Sequence, residues 1–475
     1  MLENSNKQRY VSTRGHAAIL DFEGVLLAGL ATDGGLYVPE RWPKLTDGDL
    51  RALAGLTFAE LTARVMWPFV AGVMGEDDFQ ALVTDAYDDF DHQAVAPLVQ
   101  LYHDTWLLEL FHGPTLSFKD YALQIVGRLF DQVLTRRGER ITIVGATSGD
   151  TGSAAIEACR DRETIDIIIL HPAGRVSEVQ RRQMTTVVAD NVHNIAIEGT
   201  FDDCQNLVKA MFNDVPFRND CRLGAVNSIN WARIAAQTGY YVAAATTLGA
   251  PDRPVAFAVP TGNFGNVFAG YAARQMGIPI DQLVIASNPN DILTRFFQTG
   301  TMTAKNVVPS ISPSMDIQVS SNFERLLFDV MKRDGGAVGQ AMEGFKINGR
   351  FSIDDAQLAG LSDLFEAGRH DDEETRRAID QIFDETGQLV DPHTAIGLSV
   401  GRARRRDPGT PMVALATAHP AKFPDAVEHA TGVRPTLPDR LADLFEREER
   451  YDTLTNELSA VQDLIRTRIA LSGAA

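Results

Sequence analysis

Cysteine, long apolar runs and positive charge are what this 475-residue sequence has least of. The three cysteines, Cys159, Cys204 and Cys221, show no CxxC spacing and pair with no histidine cluster. This pattern argues against a zinc ribbon, an iron–sulfur site or a disulfide scaffold, so we expect no metal and a reducing, cytoplasmic compartment.

No apolar run approaches roughly 18 residues. The N-terminal segment MLENSNKQRY has no apolar core. Neither a transmembrane helix nor a signal peptide is therefore expected.

The charge balance is strongly acidic, with a formal net charge of −19 at pH 7. Such a charge opposes binding to nucleic acid or to an anionic membrane. We expect a small-molecule ligand instead, in a protein that is a monomer or a weak homo-oligomer. If that ligand carries phosphate, the local positive potential has to come from backbone amides, helix N-termini and a few placed basic groups.

Lysine is also rare, with 8 residues against 36 arginines. A chain that prefers arginine this strongly keeps lysine where only a primary amine serves, because an ε-amine forms a Schiff base and a guanidinium does not. Lys119 lies between Phe118 and Asp120 in the stretch HGPTLSFKDYALQ, residues 112–124. A Schiff-base lysine is one interpretation, and an exposed lysine at a helix start is the other.

From residue 140 onward, short β-branched runs alternate with helical patterns. The predicted strands are RITIVGA, IDIIILHP, VHNIAIEG, VAFAVPTG, LVIASN and MVALATA. Repeated strand–helix units predict an α/β fold with parallel sheets covered on both faces. We expect two such open α/β domains and a mostly helical N-terminal region.

The chain length favours two to four domains. The expected segments are a mixed, mostly helical region 1–100, α/β domains 101–245 and 246–435, and a C-terminal helical segment 436–475. Within them, residues 301–350 are expected to be irregular, since they are rich in Ser, Pro, Asn and Gly. Residues 351–385 are acidic and predicted to be helical, and the tail 439–470 is predicted to form one or two amphipathic helices.

A glycine-containing loop follows the strand VAFAVP and precedes a helix. The loop consists of Gly262, Asn263, Phe264, Gly265 and Asn266. Glycines let backbone amides approach an anion, and the new helix directs its N-terminal dipole at the same place. The loop lacks the GxGxxG and GK[ST] spacings of dinucleotide and Walker loops. It is either a phosphate cup or an ordinary strand-to-helix turn.

A second loop, in GATSGDTGSAA, also joins a strand to a helix. Its residues are Thr147, Ser148, Gly149, Asp150 and Thr151. Hydroxyls and free amides suit a carboxylate, although Asp150 can alternatively be a helix N-cap. Two anion loops at the ends of two strands indicate a ligand with two anionic ends in a cleft.

Three further motifs carry candidate groups. In NSINWARI, the residues Asn227, Ser228, Asn230 and Arg233 are placed to hold a second phosphate, and a plain helix N-cap at Ser228 is the alternative. Thr417 ends the strand in LATAHPAKF, where its hydroxyl can bond a heterocyclic nitrogen or simply satisfy the backbone. Asp391 and His393 in DPHTAIG have too few partners for a metal site, so His393 is a general acid/base or, more plainly, a structural histidine.

The motifs occur in the order HGPTLSFKD, GATSGDTG, NSINWARI, PTGNFGN, DPHTAIG and LATAHPAKF. This order resembles threonine synthase, in the longer form found in fungi and many bacteria. The resemblance extends from YVSTRG and ATDGGLYVPE near the N-terminus to AHPAKF, and so spans most of the chain. That family depends on pyridoxal 5′-phosphate (PLP) and has the fold type of the tryptophan synthase β chain.

The resemblance implies a role for each matching residue. Lys119 would carry PLP as a Schiff base, with the cofactor in the cleft between the two α/β domains. Gly262, Asn263, Phe264 and Asn266 match the cofactor-phosphate loop, and Thr417 matches the residue that faces the pyridine nitrogen. Residues 147–151 match the loop for the substrate carboxylate. Ser117 departs from the usual AFKD motif by replacing its alanine, a small change beside the lysine.

The implied reaction converts O-phospho-L-homoserine and water to L-threonine and phosphate, by γ-elimination and β-addition of water, the last step of threonine biosynthesis. Lys119, once released from the cofactor, would remove the α-proton. One alternative is a PLP-dependent serine or threonine dehydratase, whose substrates lack the distal phosphate. Another is a catalytically silent PLP-binding homologue that acts as a sensor. A Rossmann dehydrogenase would need a GxGxxG after its first strand, which is not found.

Overall fold

The computed structural model describes residues 7–147, 149–224 and 228–472, the last three of them by backbone alone. Two predicted substrate residues, Ser148 and Asn227, lie outside the described residues. Among the helices of the described residues, none combines the length and apolar character needed to cross a membrane.

Fifteen strands occur in the described residues. In chain order, β1 to β15 are Tyr10–Ser12, Tyr37–Pro39, Leu98–Tyr102, Thr105–Glu109, Ile141–Ala146, Ile165–Pro172, Val192–Glu198, Leu223–Gly224, Val255–Pro260, Ile280–Ser287, Thr301–Thr303, Arg350–Ser352, Phe365–Arg369, Met412–Ala416 and Asp452–Thr455.

Nineteen α-helices occur in the same residues. In chain order, α1 to α19 are Phe22–Ala28, Asp47–Arg51, Phe58–Val70, Glu76–Tyr87, Lys119–Arg137, Asp150–Cys159, Glu178–Thr185, Phe201–Asn213, Val215–Asp220, Trp231–Thr247, Gly265–Met276, Ile292–Thr299, Phe323–Val330, Gly335–Asn348, Asp355–Ser362, Asp372–Thr386, Pro392–Arg404, Pro424–Thr431 and Leu458–Ser472.

The chain divides into two compact units. The first comprises residues 1–122 and 228–435, and the second comprises residues 123–227 and 436–475. This division differs from the four consecutive segments expected from the sequence, because the C-terminal segment joins a unit whose other part lies more than 200 residues earlier. The composition of the sequence does not indicate that residues 436–475 belong to the same unit as residues 123–227.

The first unit contains a six-stranded sheet in the order β13-β10-β9-β14-β4-β3. Its pairings are parallel except for β3 with β4. The central strands β9 and β14 are buried along their whole length, which explains why they are continuous apolar runs. Helix α17 packs on β9, β10 and β14, and α11 packs on β9 and β10.

The second unit contains a five-stranded sheet in the order β15-β7-β6-β5-β8, in which every pairing is parallel. All eight residues of β6 are buried. Val144, Ile168 and Ile195 from three neighbouring strands belong to one apolar core. The predicted α/β class with parallel sheets is therefore confirmed in both sheets.

Three segments differ from the sequence predictions. Residues 301–350 are not irregular throughout, because α13 and α14 occupy much of the second half. The four glycines in α14 disfavour a helix, but Asp334 caps its start and Gly349 ends it in the left-handed conformation. The expected helix over 351–385 is interrupted by β13, and the C-terminal tail contains β15 besides α19. Both missed strands lie at sheet edges, where the pattern of burial is weakest.

Candidate active site

Three neighbouring strands of the first unit deliver the principal predicted residues to one edge of the sheet. Strands β4, β14 and β9 are adjacent and parallel, so their carboxyl ends meet at that edge. β4 leads to Lys119, β14 leads to Thr417, and β9 leads to the 262–266 loop. The carboxyl edge of an open α/β sheet is where ligands bind in such folds.

Lys119 is the first residue of α5 and is 8% exposed. The segment before it pairs with the chain after β14: the Phe118 N–H donates to the Thr417 carbonyl over 2.9 Å, and the His419 N–H donates to the Leu116 carbonyl over 3.0 Å. The Nζ atom of Lys119 lies 4.9 Å from the centre of the Phe118 ring. The lysine is therefore neither an exposed helix-start residue nor a loosely held one.

A buried polar cluster supports the lysine segment. Asp120 accepts from the Thr115 hydroxyl over 2.6 Å and from the Thr115 N–H over 2.8 Å. Burial raises the pKa of Asp120, while Thr115 and the positive charge of Lys422 act in the opposite direction. Lys422 is fully buried and donates through Nζ to the Thr115 carbonyl over 2.6 Å. The sequence pattern did not predict this cluster, because Lys422 lies 307 positions from Thr115.

The 262–266 loop turns tightly between β9 and α11. Phe264 is buried and adopts φ 62°, a left-handed conformation that is costly for a residue with a side chain and is typical of functional sites. The Thr261 hydroxyl accepts from the Phe264 N–H over 3.2 Å, which fixes the turn. A Cβ at Gly262 would stand 3.1 Å from Met315 Cα. Glycine is thus the residue that lets the loop approach its neighbours.

The segment 320–322 restrains the same loop through two hydrogen bonds. The Ser320 hydroxyl donates to the Gly262 carbonyl over 2.7 Å, and the Asn322 N–H donates to the Asn263 carbonyl over 3.1 Å. Loop carbonyls accept both hydrogen bonds, so these contacts do not occupy the N–H groups of the loop. The amides of the first turn of α11 also have no intrahelical acceptor.

Asn266 contributes an amide donor at the start of α11. Its Oδ1 accepts from the hydroxyls of Tyr240 and Tyr241 over 2.6 and 2.9 Å. Asn266 is 4% exposed, and its Nδ2 has no partner among the described residues. A buried donor without an acceptor is costly. An orphaned amide beside a helix N-terminus is a donor set that fits the phosphate of PLP.

In the NSINWARI motif, the side chain of Asn230 makes structural hydrogen bonds, whereas two nitrogens of Arg233 have no partner among the described residues. Asn230 caps α10 by accepting from the Ala232 N–H over 3.0 Å, and its Nδ2 donates to the Leu26 carbonyl over 2.8 Å. The cap is thus Asn230 and not Ser228, whose carbonyl accepts from Asn322 Nδ2 over 3.1 Å. Arg233 is 4% exposed, and neither Nε nor Nη1 has a partner among the described residues. Burial lowers the pKa of Arg233 to about 10, which leaves it protonated at neutral pH.

The 147–151 loop belongs to the second unit and follows the carboxyl end of β5. The Thr147 hydroxyl accepts from the N–H groups of Gly149 and Gly152 over 3.0 and 2.9 Å. Gly149 adopts φ 146°, a conformation that residues with side chains rarely take. Asp150 is buried and is the first residue of α6, so it is not the N-cap, which is Gly149. Thr151 follows it in the first turn and is partly buried.

His393 is held on both ring nitrogens. Its Nδ1 lies 2.7 Å from Asp391 Oδ1, and its Nε2 accepts from the Ser314 N–H over 3.3 Å. Asp391 also caps α17. Ser314 belongs to the 3₁₀ turn Pro313–Met315. Met315 of the same turn lies against Gly262. The structural interpretation of His393 is therefore the one the contacts support.

These features define an α/β protein with a buried lysine and a glycine-containing anion loop at the carboxyl edge of one sheet. A family model described as "Pyridoxal-phosphate dependent enzyme" matches residues 91–344. The models "Threonine synthase N terminus" and "Threonine synthase, C-terminal" match residues 9–87 and 394–465. The chain belongs to the threonine synthase family.

Individual relatives agree with that assignment. A threonine synthase of Pseudomonas aeruginosa is 57% identical over 96% of this chain and 98% of its own length. The crystal structure of PLP-bound threonine synthase from Brucella melitensis is 54% identical, with a TM-score of 0.96 over 97% of this chain and 99% of its own. The yeast threonine synthase structure is 38% identical, with a TM-score of 0.92 over 98% and 100%. The resemblance inferred from the sequence motifs, and PLP as the cofactor, are confirmed.

Proposed function

We propose that this enzyme converts O-phospho-L-homoserine and water to L-threonine and phosphate, with Lys119 as the residue that binds PLP covalently. The observation that carries the proposal is the backbone pairing of the Lys119 and Thr417 segments at the sheet edge where the 262–266 loop also begins. This edge gathers a lysine for the Schiff base, a hydroxyl-bearing residue suited to the ring nitrogen and an anion loop suited to the phosphate.

The chain supplies a distinct contact for each part of the cofactor. Amides of the 262–266 loop other than that of Phe264, together with Asn266 Nδ2, would hold the cofactor phosphate, and the dipole of α11 would favour its negative charge. Thr417 would offer its neutral hydroxyl to the ring nitrogen. When bound, PLP supplies an aldehyde that condenses with amines and a conjugated ring that accepts an electron pair.

The protein groups then act on the substrate. Lys119 Nζ, as a free amine, would remove the proton from the substrate α-carbon and later return a proton. The guanidinium of Arg233 binds the substrate phosphate, because a buried unpaired cation gains most from a dianionic partner. The 147–151 loop is the segment that we assign to the substrate carboxylate. Ser228 and Asn230 act by fixing the start of the helix that carries Arg233.

The proposed compartment is the cytoplasm, and the proposed assembly is a monomer or a weak homo-oligomer. All three cysteines are free and buried. Burial raises the pKa of Cys159 to about 12 and of Cys204 to about 11, so these thiols stay protonated and unreactive in a reducing compartment. Cell fractionation and sedimentation of the purified protein test both statements.

Product analysis and borohydride trapping together test the proposal. The holoenzyme given O-phospho-L-homoserine should release L-threonine and phosphate in equal amounts. Reduction followed by peptide mapping should place the cofactor label on Lys119. Ammonia release from threonine would favour the dehydratase alternative, and a labelled Lys119 without any turnover would favour the silent homologue. A label on another lysine would overturn the assignment of Lys119.

A further inference from the structure

A helix of the second unit contacts the 147–151 loop through the buried carboxamide of Gln180. Helix α7 packs against α6, the helix that begins within this loop. Its residue Gln180 is 3% exposed, and its Nε2 donates to Asp150 Oδ1 over 2.8 Å. Gln180 lies outside the sequence motifs of the candidate site and has no role in the proposed reaction.

The orientation of the Gln180 carboxamide is fixed from its other side. The Ser177 hydroxyl donates to Gln180 Oε1 over 2.9 Å. Oε1 therefore acts as the acceptor, and Nε2 is the atom directed at Asp150, whose carboxylate accepts only. A hydrogen bond between a neutral amide and a buried carboxylate is stronger than one between two neutral groups.

The same carboxamide lies directly against Gly149. A Cβ at Gly149 would stand 2.5 Å from Gln180 Cδ and Oε1. Gly149 also has φ 146°, so its conformation and its missing side chain both serve the contact. Gln180 thus limits two adjacent residues of the loop, one by packing and one by a charge-assisted hydrogen bond.

Helix α7 is in turn anchored by the C-terminal segment. Arg181 binds Glu449 in bidentate geometry, over 2.8 and 2.9 Å, and the Thr185 hydroxyl donates to the same carboxylate over 2.7 Å. The N–H of Arg450 donates to the Thr185 carbonyl over 2.6 Å. Because Gln180 directly precedes Arg181 in α7, these contacts also fix the position of Gln180 beside the loop.

We infer that Gln180 is a positioning residue for recognition of the substrate α-carboxylate, acting through Asp150 and Gly149. This inference rests on the proposed function of the 147–151 loop. A bound carboxylate needs loop amides that already point at it, because ordering the loop at the moment of binding would cost affinity. Loss of the Gln180 carboxamide would remove its hydrogen bond to Asp150 and its packing against Gly149, and so leave the loop less restrained.

The test compares two ligands that differ only in the carboxylate. 2-Amino-5-phosphonopentanoate keeps the amine, carboxylate and distal anion of the substrate, and 4-aminobutylphosphonate lacks the carboxylate. Both are titrated against the holoenzyme through the cofactor absorbance. In Gln180→Ala, we expect affinity for the first ligand to fall about tenfold while affinity for the second is nearly unchanged. Equal losses for both ligands, or none, would overturn the inference.

A second variant separates hydrogen bonding from packing. Gln180→Glu keeps the shape of the side chain but sets an acceptor against the Asp150 carboxylate, so we expect at least the loss seen with alanine. A purely structural role predicts that the isosteric variant retains the wild-type preference between the two ligands. This variant also keeps the inference testable if the alanine variant does not fold.

The matched control is Asn191→Ala in the same unit. Asn191 is buried and donates to the carbonyl of Cys159, the last residue of α6, and to that of Ile165, the first residue of β6. Cys159 lies about 14 Å along the helix from Asp150. Its loss should lower thermal stability but leave the preference between the two ligands intact. If the wild type turns over O-phospho-L-homoserine and Gln180→Ala retains the preference, only the role of Gln180 fails. If the wild type itself forms no threonine, the proposed function and this inference fail together.

Discussion

The backbone N–H of Phe118 donates to the carbonyl of Thr417 over 2.9 Å. This bond connects the residue before the proposed cofactor lysine to the residue proposed to face the cofactor ring. Ser117 and Ala418 form an isolated antiparallel bridge beside it. Two side chains separated by nearly 300 residues in sequence are therefore placed by one short backbone pairing, and neither depends on a flexible loop for its position.

Replacement of Lys119 by alanine should abolish both turnover and the absorbance of the covalently bound cofactor. The arginine variant is the informative control, because it keeps the positive charge but cannot form a Schiff base. Both variants should retain the circular dichroism spectrum of the wild type. Turnover by Lys119→Arg at more than about a thousandth of the wild-type rate would contradict the proposed proton transfer by this amine.

Replacement of Lys422 by methionine should destabilise the first unit by roughly 3–5 kcal/mol, because it leaves buried Asp120 without its compensating cation. It also removes the donor to the Thr115 carbonyl in the segment before Lys119. The double variant Asp120→Asn, Lys422→Met should recover part of the loss, since the uncompensated charge is then absent. Chemical denaturation of the three variants checks this, and simple additivity of the two single losses would contradict the coupling.

The sequence predicted the strands that are buried on both faces and the loops that follow them. β5, β6, β9 and β14 are short apolar runs because both faces of a parallel sheet are covered, and the Gly, Ser and Thr residues after them mark the turns. The 262–266 loop was predicted for the same reason, whereas Lys119 was singled out by the scarcity of lysine in the sequence. Edge strands such as β13 and β15 were missed, since part of each is solvent-exposed and neither contains a continuous apolar run.

The supporting contacts of the site left no signal in the sequence. Lys422 meets Thr115 across 307 positions, and Gln180 meets Asp150 across 30. Asn266 was predicted as a loop residue, but its orientation depends on Tyr240 and Tyr241 in a different helix. Such partners are fixed by tertiary packing, and local pattern carries no information about which distant side chain will fill a given place.

Replacement of Arg233 by alanine should raise the KM for O-phospho-L-homoserine by a factor of about ten to a hundred and leave cofactor affinity unchanged. The reason is that both unpartnered guanidinium nitrogens are buried and available to an anion. Arg233→Lys keeps the charge without the bidentate fork, so it should lie between alanine and wild type. Inhibition by inorganic phosphate should weaken in parallel. An unchanged KM in the alanine variant would remove Arg233 from the phosphate site.

Replacement of Glu449 by glutamine should reduce stability at neutral pH but not in acid. The hydrogen bond from Arg181, with further contributions from Thr185 and Arg182, lowers the pKa of Glu449 below its ordinary value of 4.5. A carboxyl whose pKa is depressed on folding stabilises the protein above the unfolded value, and that stability is lost as the pH falls through the folded value. The difference in Tm between wild type and Glu449→Gln should therefore be greatest near pH 7 and shrink below about pH 4.5. Glu448→Gln changes the same charge at an exposed neighbouring position and should show no such pH-dependent difference. If both variants gave the same profile, the Arg181–Glu449 contact would not be what anchors α7.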